Sequence, residues 1–84
     1  MLVQIPFRLF QDKRFGRTDY KVYAFFYTNQ GKETPPVREI SKIINSNPDA
    51  IYDAISRLEQ FDYIKKQVAT LDNKKIMTVI LLDL

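Results

Sequence analysis

The sequence predicts an α+β fold: a short N-terminal strand, three helices and a C-terminal β-hairpin. Three observations carry that expectation. Ile51, Ala54, Ile55, Leu58 and Phe61 recur at i, i+3, i+4, i+7 and i+10, the spacing of one helix face. Val3, Ile5, Phe7 and Leu9 alternate with Gln4, Pro6 and Arg8, which is the period of a half-buried strand. Near the end, two runs of strand-forming residues flank Asp72-Asn73-Lys74, a short polar turn suited to a hairpin.

Each element follows in order. Pro6 has no N–H to give a sheet ladder, so the first strand is expected at an edge. A polar connector from Gln11 to Gly16 leads to the first helix, expected near residues 18–30. Thr18 is its candidate N-cap, with Asp19 placed to complement the helix dipole. Tyr20, Tyr23, Phe25, Phe26 and Tyr27 make this helix apolar nearly all round, as a core helix would be. Pro35-Pro36 prepares a short second helix, expected near 36–45, with Val37, Ile40, Ile43 and Ile44 at helical spacing. Ser46 or Asn47 caps the third helix, expected near 47–61, with Pro48 at its start. Leu58 is expected in the core between the second and third helices and the hairpin, itself expected near 64–82.

The chain has 84 residues, room for one domain spanning 1–84. It contains neither cysteine nor histidine. That removes disulfides, thiolate metal sites and the usual general base at neutral pH. No Gly-rich phosphate loop and no nucleophile motif is present, so no enzyme, cofactor or metal is expected. No apolar run approaches the roughly 18 residues of a membrane helix, and the N-terminus does not read as a signal peptide. A cytoplasmic protein is therefore expected. The net charge of +3 permits a nucleic-acid partner without requiring one. Its distribution is uneven: residues 1–36 carry six basic and three acidic side chains, 37–64 three and five, and 65–84 four and two.

Residues 37–64, VREISKIINSNPDAIYDAISRLEQFDYI, carry the most specific pattern. A short helix bearing Ile40, Ile43 and Ile44 meets a turn at Ser46-Asn47-Pro48. A longer helix follows through Ile51-Tyr52 and Ala54-Ile55 to Arg57-Leu58-Glu59, and leaves through Tyr63-Ile64. This stretch resembles the core of winged helix–turn–helix DNA-binding domains, and the resemblance extends over about residues 18–82. The leading segment, polar connector and aromatic first helix also resemble N-terminal domains of plasmid and phage replication initiators. The resemblance implies binding of double-stranded DNA, as a transcription regulator or a replication protein. The third helix would enter the major groove and the hairpin wing would hold the backbone.

On that reading Asn47, Tyr52, Ser56 and Arg57 contact bases or phosphates from the third helix. Lys65, Lys66, Asn73, Lys74 and Lys75 contact phosphates from the wing. An ordinary solvated helix face carries the same residue types, and edge-strand lysines also guard against aggregation. Asp53 departs from the family pattern, because a carboxylate is repelled by phosphates, although it can accept from a cytosine amino group. Asp49 and Asp53, one turn apart, lack the third ligand a metal would need. Arg8, Lys13, Arg14 and Arg17 form a basic cluster that reads as a backbone clamp or a solvated loop. The alternative function is a protein-interaction module whose acidic third helix meets a basic partner. Met77 to Leu82 is apolar on both faces, which leads to the expectation of a homodimer through the terminal strands or the first helix.

Overall fold

The computed structural model describes residues 6–82. Their order is α1 (Phe7–Gln11), α2 (Arg17–Thr28), α3 (Val37–Ile44), α4 (Pro48–Gln60), β1 (Ile64–Leu71) and β2 (Lys74–Leu81). The fold is α+β, with four helices and a two-stranded antiparallel hairpin among the described residues, and is compatible with a winged-helix class. The three main helices and the hairpin lie within two residues of the expected boundaries.

The N-terminal strand is the exception. Phe7 and Leu9 belong to the helical turn α1, and Val3 and Ile5 lie outside the described residues. Pro6 precedes the helix with φ −55° and ψ 135°, and its carbonyl accepts the Leu9 N–H at 2.9 Å. A strand there would have to lie along a sheet edge to satisfy its backbone. The outer edge of β2 is already engaged by the α2–α3 loop: Glu33 bridges Thr78, and the Thr34 N–H donates to the Met77 carbonyl at 2.8 Å. A single helical turn satisfies its own backbone while burying Leu9 completely.

The cap of α2 also differs from expectation. Gly16, not Thr18, is the N-cap, and Asp19 stands at the third helical position. Its Oδ2 accepts the Gly16 N–H at 2.7 Å, so the carboxylate closes the helix start while facing the interior. At α4 the sequence signal holds: the Asn47 side chain accepts the Asp49 N–H at 2.8 Å, and Pro48 opens the helix. Asn45 ends α3 in the left-handed region, φ 54°, a conformation Asn tolerates. That residue lets the chain turn sharply from α3 into α4.

The core unites every element. Leu9, Val22, Ile40, Ile51, Leu58 and Ile64 are its largest fully buried side chains. Tyr23, Phe25 and Phe26 are buried, with Tyr20 and Tyr27 packed at the margin, so the aromatic helix is core as expected. In the hairpin, Ile64 pairs with Leu81 and Lys66 with Val79, which places these residues on the face turned to the core. Asp72 and Asn73 form the turn with φ 51° and 64°, the two positive angles of a tight hairpin turn that matches strand twist. Pairing resumes at Lys74, one residue earlier than expected. Ile76, Met77, Ile80 and Leu82 are half-buried, so neither face of β2 is left bare.

Candidate functional site

The residues singled out in the sequence occupy two structures, the solvent face of α4 and the hairpin. Burying Ile51, Ala54, Ile55 and Leu58 turns Asp49, Tyr52, Asp53 and Ser56 outward, because helix faces repeat every 3.6 residues. Tyr52 is 58% exposed and lines a groove with Pro36, Val37, Arg38, Glu39 and Pro48, where the starts of α3 and α4 meet. Ser56 is exposed one turn further along. Asn47 is exposed but already caps its own helix.

Arg57 is engaged within the protein. Its Nε and Nη2 donate to Asp19 Oδ1 at 3.1 and 2.9 Å. Asp19 is 2% exposed, the one buried charged residue among those described. With Gly16 N–H on Oδ2 and Arg57 on Oδ1, both carboxylate oxygens are satisfied. Arg57 is the single cation of α4, so the helix offers solvent the carboxylates of Asp49 and Asp53, a partly exposed Glu59, and no unpaired positive charge.

The wing lysines divide by strand alternation. Lys66 and Lys75 project from the same sheet face as Ile64, while Lys65 and Lys74 project from the other. Lys66 reaches Glu59 of α4 at 3.3 Å, and Lys74 reaches Glu33 at 3.8 Å. The Lys74 contact is largely exposed and the Lys66 contact partly so; surface pairs of this kind are worth little energetically and are readily exchanged for another anion. Lys65 and Lys75 are exposed and make no ion pair among the described residues. Asn73 stands at the turn itself.

The N-terminal basic cluster is split. The Arg8 guanidinium lies 4.0 Å from the centre of the Tyr63 ring and donates to the Asp62 carbonyl at 3.3 Å. Arg14 stacks on Phe61 at 3.4 Å and pairs with Asp12 through Nε at 2.8 Å. The hydrogen-bonded Arg14 guanidinium holds the Asp12 carboxyl down at about 2, against the desolvation that opposes it. Phe15 packs edge-on against both Phe61 and Tyr63, so the N-terminal segment grips the exit of α4. Lys13 and Arg17 remain exposed without ion pairs among the described residues.

Two features were missed in the sequence. Asp19 reads from the sequence as a partner of the helix dipole, whereas its carboxylate turns inward, accepts the Gly16 N–H three residues back and meets Arg57. The Glu33–Thr78 bridge had no local signal, since Lys32 to Thr34 reads as an ordinary loop. No group of three metal-ligating side chains occurs among the described residues, and no described helix is long and apolar enough to cross a membrane. No family model, no curated protein and no solved structure matches this chain.

Proposed function

We propose that the chain is a winged helix–turn–helix domain that binds double-stranded DNA, as a transcription regulator or a replication protein. The α3–turn–α4 unit is the reading head and the β1–β2 hairpin is the wing. One observation carries the reading: the hairpin extends far beyond what the core requires. Every residue from Lys65 to Lys75 is exposed, although the ladder continues through eight pairs. Burial of Ile64, Val79 and Leu81 would be achieved by a shorter hairpin. The extension presents Asn73, Lys74 and Lys75 at its tip and Lys65 and Lys66 at its base, a distribution suited to phosphates. Tyr52, Ser56 and Asn47 supply neutral hydrogen-bonding groups along α4 for base edges or backbone. Arg57 would serve mainly by holding α4 in place through Asp19.

Titration of arbitrary duplex DNA at several salt concentrations tests this. Phosphate contacts make log affinity fall linearly with log salt, with a slope near −0.9 per contact. A duplex affinity that is absent at low salt rejects the reading.

A second reading, a protein-interaction module, has its own observation. Asp49 and Asp53 face solvent on α4 while Arg57 is held by Asp19. That acidic face suits a basic protein partner. Under this reading, neutralising both carboxylates abolishes partner binding; under the DNA reading it strengthens duplex binding. The same proposal includes a cytoplasmic, non-enzymatic protein without cofactor, acting as a homodimer on successive half-sites.

A further inference from the structure

Unpaired positive charge also stands at the N-terminal end, on residues other than those of α4 and the wing. Helix α2 turns Asp19, Val22, Tyr23, Phe25 and Phe26 inward, against α4 among others. Positions 17, 20, 21, 24, 27 and 28 therefore lie opposite that inward stripe, half-buried at 20, 21, 24 and 27, with Lys21, Ala24 and Thr28 beside Ile43 and Ile44 of α3. That face holds Arg17, Tyr20, Lys21, Ala24, Tyr27 and Thr28, with no carboxylate. Lys21 spends one proton on the Ile44 carbonyl at 3.3 Å and keeps two for a ligand.

Helix α1 adds aromatic rings to this face. Burying Leu9 turns Phe7 and Phe10 outward together, at i and i+3. Phe7 is 73% exposed and Phe10 is 52% exposed. The Phe10 ring lies 5.0 Å from that of Tyr20, which joins α1 to the α2 surface. Lys13 and Arg17 stand in and after the connector, and the nearby Asp12 is neutralised by Arg14. Exposed rings beside unpaired cations are an arrangement that stacks bases and neutralises phosphates.

We propose that this surface, centred on Phe7, Phe10 and Tyr20 and flanked by Lys13, Arg17 and Lys21, binds single-stranded nucleic acid. The chemistry favours a single strand over other polyanions. Duplex DNA hides its base faces by stacking, so exposed phenylalanines gain nothing from it. An anionic membrane selects a helix with a long apolar face outward, whereas α2 turns its apolar face inward and α1 is five residues long. None of these six residues is among those assigned to duplex binding on α4 and the wing, so variants at the two sets distinguish this proposal from duplex binding.

The test is fluorescence anisotropy of the whole chain with oligo(dT) of about 12 nucleotides, a length within the usual single-strand site range. Arbitrary duplex DNA and phosphatidylserine vesicles are measured alongside. The double variant Phe7→Ala/Phe10→Ala removes exposed rings and leaves the buried Leu9 in place. It should weaken oligo(dT) binding roughly tenfold or more, the loss expected from two stacking platforms. Lys13→Ala/Arg17→Ala should weaken it too and flatten its salt dependence by about one to two units. The Phe7→Ala/Phe10→Ala variant should leave duplex affinity unchanged, while wing-lysine variants should weaken duplex binding more than oligo(dT) binding. An oligo(dT) affinity that is absent in the parent, or unchanged in both double variants, overturns the proposal. So does vesicle binding that depends on Phe7 and Phe10 in the absence of oligo(dT) binding.

Discussion

Asp19 and Arg57 tie the first turn of α2 to the last turn of α4, 38 residues apart in sequence, through two hydrogen bonds to one carboxylate oxygen. The carboxylate is buried and the guanidinium about one-third exposed. A buried charge is costly unless paired, so the two helices are held at a distance and angle that keep this contact. The wing begins four residues after α4 ends, and the pair therefore also fixes where the wing projects.

Removing Arg57 should leave Asp19 buried without its cation. Breaking a buried pair costs about 3–5 kcal/mol, and the exposure of Arg57 reduces this to about 2–3 kcal/mol for Arg57→Ala. Urea unfolding of Arg57→Ala, Asp19→Ala and the double variant measures the coupling. The double variant should be less destabilised than the sum of the two singles. Strict additivity would show that the contact does not contribute.

Leu58 is fully buried within the cluster shared by the helices and the hairpin. Leu58→Ala should destabilise by about 2–5 kcal/mol, a large share of the stability of so small a domain. The denaturant midpoint should fall with little change in slope. An unchanged midpoint would place Leu58 outside the structural core.

If the wing contacts phosphates, Lys74→Ala/Lys75→Ala should weaken binding to all duplex sequences alike. The slope of log affinity against log salt should flatten by about one to two units. Both residues are exposed, so thermal stability should be nearly unchanged. Unchanged affinity and slope remove the wing tip from the interface.

Asp12 provides a pH signature of the N-terminal segment. Its carboxyl is lowered from 3.8 to about 2, first by the side-chain hydrogen bond to Arg14. The folded value lies below the unfolded one, so the contribution of this contact is complete above pH 3.8 and is lost as pH falls through about 2. Carbon-detected NMR titration should find the Asp12 midpoint near the lower value in the parent. In Arg14→Gln it should return toward 3.8. A midpoint unaffected by that substitution would show that the Arg14 contact is not formed in solution.

The proposed homodimer predicts a sedimentation coefficient that rises with concentration. The half-buried apolar residues of β2 leave a smaller unsatisfied face than the sequence suggested, so self-association should be weak. A monomer at every concentration up to the high micromolar range ends this proposal.

What could be read from the sequence was local. Asn47-Pro48 with the stripe from Ile51 to Leu58 defines α4, because cap and periodicity are contained within the segment they describe. Asp72-Asn73 defines the hairpin for the same reason: two residues tolerant of positive φ suit a tight turn without help from elsewhere. The exposed faces of α4 and the wing followed from these periods. The N-terminal segment did not, since its short alternation fits a strand or a helical turn equally well, and the choice depended on the packing that buries Leu9 in the core. The same holds for the charges. That Arg57 is held by Asp19, Lys66 by Glu59 and Arg8 by Tyr63 depends on how whole elements pack, because each pair joins separate parts of the fold. Periodicity determines which side chains leave a helix or strand together; only the tertiary structure decides which of them find partners and which remain available to a ligand.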